Sequence, residues 1–316
     1  MDNKAVPWHV LQRRQYDARR YARHLSQPEL NRRIRDVLLN LLRLTPEAKI
    51  GIFEVNAENA IWVEKWTHVL EEMQLRYGPY PSGFTPDIMN SEPFPDFASA
   101  LAGKAAKKLS ALGHKRGDVF LKFGKRCYME ALYEAGALRV QPASFFRDKN
   151  LTGAVQDDEL RLPFSFALCR EDVIKIVKNP RDVPRDIPEQ RVDVRIESSA
   201  DYWLYCVTSS VEPRLFVDFE ADACVIIRDR QKFCCLLREL SRRHLRSAAM
   251  REGPANYVDP LLPRSADVFV PLCKHFRYSY QEEYRFCWLP SPPVQKLSYV
   301  DIRLGSLADI AELVVL

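Results

Sequence analysis

Glycine is scarce, at 11 residues in 316. None falls in a G-x-G-x-x-G or G-x-x-x-x-G-K-[ST] pattern, which counts against the common phosphate-cradling loops. H-E-x-x-H and G-x-S-x-G are missing as well, so neither a zincin nor a nucleophile elbow is expected. The six histidines are scattered and the eight cysteines form no C-x-x-C pair, so no metal site is expected. No apolar run approaches the roughly 20 residues that span a bilayer. The first 25 residues lack the uninterrupted apolar segment of a secretory signal. These absences predict a soluble cytoplasmic protein with no membrane partner. Six cysteines have apolar or aromatic neighbours, and buried reduced thiols are expected.

What is present fits a globular chain. Hydrophobic residues make up 47% and charged residues 28%, enough to build a sizeable core. Lysine and arginine outnumber aspartate and glutamate by 47 to 42, but the layout says more than the total. Residues 1–43 hold ten basic and four acidic side chains, residues 51–99 two and eight, and residues 104–126 eight and one. Such segregation suits either a solvated helix surface or a face for a polyanion.

The front of the chain reads as helical. Ser26-Gln27-Pro28-Glu29 has capping-box spacing with proline in the first turn. Leu30, Ile34, Leu38, Leu41 and Leu42 follow at helical intervals, predicting a helix near 27–44. An arginine-rich helix precedes it, and residues 57–76 and 96–112 read as two more. Between the last two lies a proline-rich connection over 79–95. A boundary is placed near 117, giving a helical region 1–117 and a second domain 118–316. Beyond it, strands are expected at 118–124, 138–140, 190–197, 202–207, 223–227 and 284–289, with helices at 127–135 and 230–249. Interspersed short strands and helices without repeated βαβ units predict an α+β fold.

Three segments of the back half carry the functional reading. Lys122-Phe123-Gly124 ends the first strand. Thr208-Ser209-Ser210 ends a middle strand. Gln281-Glu282-Glu283-Tyr284-Arg285 leads into a late one. In this order they resemble the ADP-ribosyltransferase superfamily, which has a basic residue on the first strand, a Ser/Thr-rich strand and a Gln-x-Glu or Glu-x-Glu turn. They also resemble a little-characterised bacterial family of the DUF2971 type. The likeness covers about residues 118–290. Here the first-strand cation is lysine, where the transferases usually have arginine or histidine, and the middle motif is Thr-Ser-Ser.

The resemblance implies an enzyme that binds NAD, expels nicotinamide and moves ADP-ribose to an acceptor. Cleavage of the nicotinamide–ribose bond passes through an oxocarbenium-like state, which a nearby carboxylate favours. Glu283 is the catalytic candidate. Gln281, two residues earlier in an extended turn, is expected to point the same way and orient the acceptor. Lys122, or else Arg126, is the candidate for the pyrophosphate. Tyr128 or Phe145 would stack on nicotinamide, and Thr208 and Ser209 would hydrogen-bond ribose or the catalytic carboxylate. Arg147 and Arg285 are the candidates for contact with the acceptor, which is RNA, DNA or protein. Such enzymes often serve as toxins or anti-phage effectors, which implies a cognate antitoxin or regulatory partner.

Two other readings stay open. Asp157-Asp158-Glu159 and the Asp218, Glu220, Asp222 group read first as surface loop charges, but acidic clusters also serve metal-dependent nucleases or nucleic-acid-binding modules. The other is a non-catalytic interaction protein with a degenerate site.

Overall fold

The computed structural model describes residues 6–53, 56, 59–79, 94–168, 190–262 and 268–316. It is a mixed α/β structure whose main sheet is antiparallel throughout. The sequence encodes the front helices largely as expected. α1 spans Trp8–Arg19, α2 Gln27–Leu41, α3 Ala60–Tyr77 and α4 Ala100–Ala111. The capping box of α2 forms: the Glu29 carboxylate accepts from both the Ser26 amide and the Ser26 hydroxyl at 2.7 Å. α2 stops at Leu41, three residues short of expectation, because Leu42–Leu44 (β1) pairs with Ile50–Ile52 (β2). Most of the proline-rich connection, and Cys169, lie outside the described residues.

The remaining elements follow in order. β3 is Phe120–Gly124, α5 Arg126–Ala135, β4 Ala137–Pro142, β5 Arg161–Leu168, β6 Gln190–Glu197, β7 Trp203–Thr208, α6 Arg214–Asp218 and β8 Ala223–Ile227. Then come α7 Arg230–His244, β9 Ala248–Pro254, β10 Asn256–Val258, β11 Cys273–His275, β12 Glu283–Pro290, β13 Val300–Arg303 and β14 Ala311–Val315. Residues 248 and 249, expected to close α7, instead start β9.

Eight strands form the main sheet, and β7 is its fork. One edge of β7 pairs along its whole length with β12, which carries β9 on its far side. The other edge is shared. Thr208 meets Leu121 of β3, which continues to β8 and β14. Leu204 and Trp203 meet Gln141 and Pro142 of β4, which continues to β13.

Residue alternation sorts the two faces. Phe120, Tyr205, Val207, Val225, Phe286 and Trp288 pack against Met129 and Leu132 of α5 and Phe233 and Leu237 of α7. The opposite face presents Leu121, Phe123, Cys224 and Ile226 to Ala105 and Leu109 of α4 and to Leu215 and Phe216 of α6. Glu283 and Arg285 share this second face, since Glu283 stands opposite Thr208, and Thr208 opposite Leu121.

The helical front is stitched to the same side. Arg33 of α2 pairs with Asp259 through both carboxylate oxygens, at 3.0 and 2.9 Å. Asn40 donates to the carbonyls of Phe276 and Arg277 and accepts from the Tyr280 amide. The buried Arg214, paired with Asp218, donates to the carbonyls of Leu39 and Leu42. Asp218 is therefore an internal ion-pair partner and not a loop charge. The chain crosses residue 117 without separating two independent packings.

Candidate active site

β12 begins where a 3-10 turn, Phe276–Gln281, ends. Glu282 between them takes φ 46° and ψ 50°, a left-handed conformation. The Gln281-to-Glu283 segment is thus a kink, not the extended turn expected from spacing. The kink still brings both side chains to one cation: the Lys274 ammonium donates to Gln281 Oε1 at 3.0 Å and to Glu283 Oε1 at 2.5 Å.

The second oxygen of Glu283 accepts from Arg285 Nε at 3.0 Å. Arg285 in turn forks onto Glu159, at 2.8 and 3.0 Å, and donates to the Cys273 carbonyl at 2.9 Å. Lys274, Arg285, Glu159 and Glu283 are all buried, so two cations and two carboxylates neutralise one another. Burial works against the charge on Glu283, but Lys274 and then Arg285 outweigh it and hold the carboxyl down at about 2. The Glu283 amide donates to the Tyr257 hydroxyl at 2.7 Å. Asp157 stands beside this quartet, and burial followed by the Glu159 charge pushes its carboxyl up to about 6.

Glu283 is also on the wall of a cavity of about 700 Å³ between the sheet and the helical front. That volume lies within the range of small-molecule sites. Ser209, Glu282 and Arg116 share the wall on the sheet side, and Arg116 pairs with Glu282 at 2.7 Å. Tyr257, Trp62 and Phe276 supply aromatic surface, the last two stacked at 5.9 Å. Lys65 and Asp259 line a further stretch of it.

The other sequence candidates are placed as follows. Gln281 is fully buried, donating to the Ala154 carbonyl at 2.8 Å, and does not reach the cavity. Thr208 donates to the Gln281 carbonyl and accepts from the Ser210 amide, so its hydroxyl fastens the kink. The Ser209 amide and hydroxyl both donate to the Glu282 carbonyl, at 3.0 and 3.2 Å.

Lys122 lies on the opposite sheet face, 4.6 Å from the centre of the Tyr205 ring, and donates to the Cys206 carbonyl at 2.7 Å. That carbonyl belongs to the stretch of β7 left between β3 and β4, so Lys122 fills the fork. Burial pulls its ammonium below the ordinary lysine value.

Arg126 is on the surface, paired with Glu130. Tyr128 is 68% exposed. Phe145 packs edge-on against Phe146 at 5.4 Å, away from the cavity lining. Arg147 pairs with Asp158 at 2.7 Å. Arg285, placed by sequence at the acceptor, has no solvent-exposed surface and spends its guanidinium on Glu159 and Glu283. Glu159, grouped with loop charges in the sequence, is a buried partner in this network.

Lys274, Tyr257 and Lys65 carried no motif. Cys224, Cys273 and Cys287 are buried as expected, whereas Cys127 and Cys235, on the outer faces of α5 and α7, are exposed. Among the described residues, no three His, Cys, Asp or Glu side chains come together so as to hold a metal ion. No helix among them is long and apolar enough to cross a membrane. Comparison with protein-family models, curated proteins and solved structures returned no match to this chain.

Proposed function

We propose that the chain is an ADP-ribosyltransferase-like enzyme that binds NAD in the cavity and transfers ADP-ribose to a nucleic-acid or protein acceptor. The observation that carries this reading is an ionised Glu283 on the wall of a cavity of suitable size, with Ser209 beside it. A carboxylate that stays charged at neutral pH favours the positive charge that develops on ribose as nicotinamide departs. Lys274 and Arg285 fix its orientation in advance of the reaction. The aromatic rings of Trp62, Phe276 and Tyr257 offer flat apolar surface for the two ring systems of NAD. A role as a toxin or defence effector held by a protein inhibitor belongs to the same proposal.

The test is incubation of the folded protein with labelled NAD and RNA, DNA or lysate protein. Nicotinamide release is expected, with Glu283→Gln slower by about 10²–10³-fold. No release under any of these conditions, from a sample shown to be folded, removes the enzyme reading. One observation favours a second reading, a binding protein with a degenerate site: both Glu283 oxygens are already occupied, by Lys274 and Arg285. That reading expects NAD to be left intact.

A further inference from the structure

A second, smaller recess opens on the sheet face away from Glu283. It lies between the end of α7 and β9 and encloses about 320 Å³. Met250 and Glu252 stand opposite Trp288 and Phe286 across the β9–β12 ladder, so all four point to the α7 side. Trp288 and Ser241, each 1% exposed, make the floor. Leu245 and Met250 add apolar wall. Arg238 and Arg242, one helical turn apart and both reaching solvent, line the other side.

The polar groups of this recess are only partly used. The Trp288 indole donates to the Ser241 hydroxyl at 3.1 Å, and that hydroxyl donates to the Arg238 carbonyl at 3.3 Å. Arg238 donates to Glu252 Oε1 at 2.7 Å. Two groups are left. Among the described residues, the buried Glu252 Oε2 has no hydrogen-bond partner and the Arg242 guanidinium forms no ion pair. A buried carboxylate oxygen without a donor is costly.

The surroundings add cations. From Arg228 to Glu252 the chain carries eight basic residues against Asp229, Glu239 and Glu252. Asp229 caps α7 by accepting from the Lys232 amide, and Glu239 is exposed one turn before Arg242 and Arg243. Arg243 and Arg246 are exposed at the end of α7 and in the turn beyond it. β13, which packs on α7, brings Arg303 and an Asp301 already held by Arg139. The loop that meets Ser247 brings Lys296 and no acid. Arginines in a last turn also suit the helix dipole, but the dipole calls for neither the recess nor the unpartnered carboxylate oxygen.

We infer that this recess is a guanine subsite for single-stranded nucleic acid. Glu252 and Arg242 read the base, and Arg243 and Arg246 hold the flanking phosphates. Guanine carries N–H donors on one edge and the O6 and N7 acceptors on the next, the complement of a carboxylate oxygen beside a guanidinium. The volume is at the lower end for small-molecule sites and suits one base. A base enters such a recess only when unstacked, which selects single strands over duplex. The recess and the Glu283 cavity are on opposite sides of the sheet, so the subsite does not depend on the transferase reading.

Fluorescence anisotropy on the full chain tests it, with labelled RNAs of about ten nucleotides: oligo(U), and the same strand with one central guanine. The guanine is expected to raise affinity at least about fivefold, and both affinities to fall steeply as salt rises. Pairing the guanine strand with its complement removes the gain, and excess NAD leaves it unchanged. Glu252→Gln, which keeps an oxygen for Arg238, is expected to abolish the guanine preference without changing oligo(U) affinity. Arg242→Ala reduces the same preference, whereas Arg243→Ala weakens both strands alike and lowers the salt slope by about one.

Absence of binding, or equal affinity for the two RNAs, overturns the subsite. So does a guanine preference that survives Glu252→Gln at matched thermal stability. GMP binding as tightly as the guanine strand overturns the nucleic-acid partner in favour of a free nucleotide, and displacement by NAD overturns the placement in this recess. Guanine-dependent binding without nicotinamide release removes the transferase reading and leaves the subsite standing.

Discussion

At the scale of single residues, the quartet of Lys274, Arg285, Glu159 and Glu283 ties stability to the charge state of Glu283. Removing one member leaves a buried charge without its partner, which typically costs about 3–5 kcal/mol. Glu283→Gln is therefore expected to lower urea-unfolding stability by about that much, a loss to be measured before any activity is compared. Asp157 gives a cleaner pH signature. Its carboxyl is held at about 6, above its unfolded value. The unfolded chain thus releases this proton first, and the folded state loses stability as pH rises from about 4 to 6. Asp157→Asn keeps the acceptor for the Asp158 amide at 2.9 Å and removes that loss. Its advantage over the wild type should be near zero below pH 4 and grow to about 3 kcal/mol above pH 6. Spacing singled out Glu283, which lines the cavity, and Gln281, which is buried behind it. The burial of Lys274 and Glu159 was not legible: Glu159 meets Arg285 across 126 residues, and Lys274 meets Glu283 only once the turn between them has folded.

At the scale of elements, local signals served best where the backbone itself demands a residue type. Ser26 and Glu29 specify the start of α2, and the structure forms that cap. Gly136 ends α5 at φ 59° with no room to spare: an added Cβ would lie 2.7 Å from Leu304 Cβ and against the Gly305 carbonyl. Gly305 also has positive φ, 83°, but nothing within 4 Å of such a Cβ. Gly305→Ala should cost about 1 kcal/mol, the backbone penalty alone. Gly136→Ala should cost at least about 3 kcal/mol, because backbone atoms must also move. Thermal unfolding of the two variants side by side checks the difference. Alternation foretold β12, since Tyr284, Phe286 and Trp288 share one apolar face. It did not reveal that Gln281 closes a 3-10 turn, because a single left-handed residue at Glu282 leaves no pattern. Nor did it reveal the fork in β7: a lysine on a strand reads as an outward charge, whereas Lys122 answers a carbonyl that neither β3 nor β4 pairs.

At the scale of the whole molecule, composition drew a line near residue 117 that packing does not respect. Ala105 and Leu109 of α4 share one apolar cluster with Leu121 and Phe123 of β3. Arg33, Asn40 and Arg214 tie the front helices to segments beyond residue 200. Unfolding should therefore appear as one cooperative transition, with far- and near-ultraviolet circular dichroism coinciding. Two separated transitions would show that these ties are weak. The cavity itself exists only because both halves contribute walls, which explains why no single stretch of sequence announces it.

The position of β12 also bears on how the chain reaches this state. Its neighbour β7 lies some 80 residues earlier, and β3 pairs with β8 across about 100. Contacts so distant along the chain make for slow folding. Until β12 docks, Glu283 and Arg285 keep their water, and docking strips it from both at once. Dehydration of the ion pairs is thus coupled to a long-range strand pairing and not to any local step of folding.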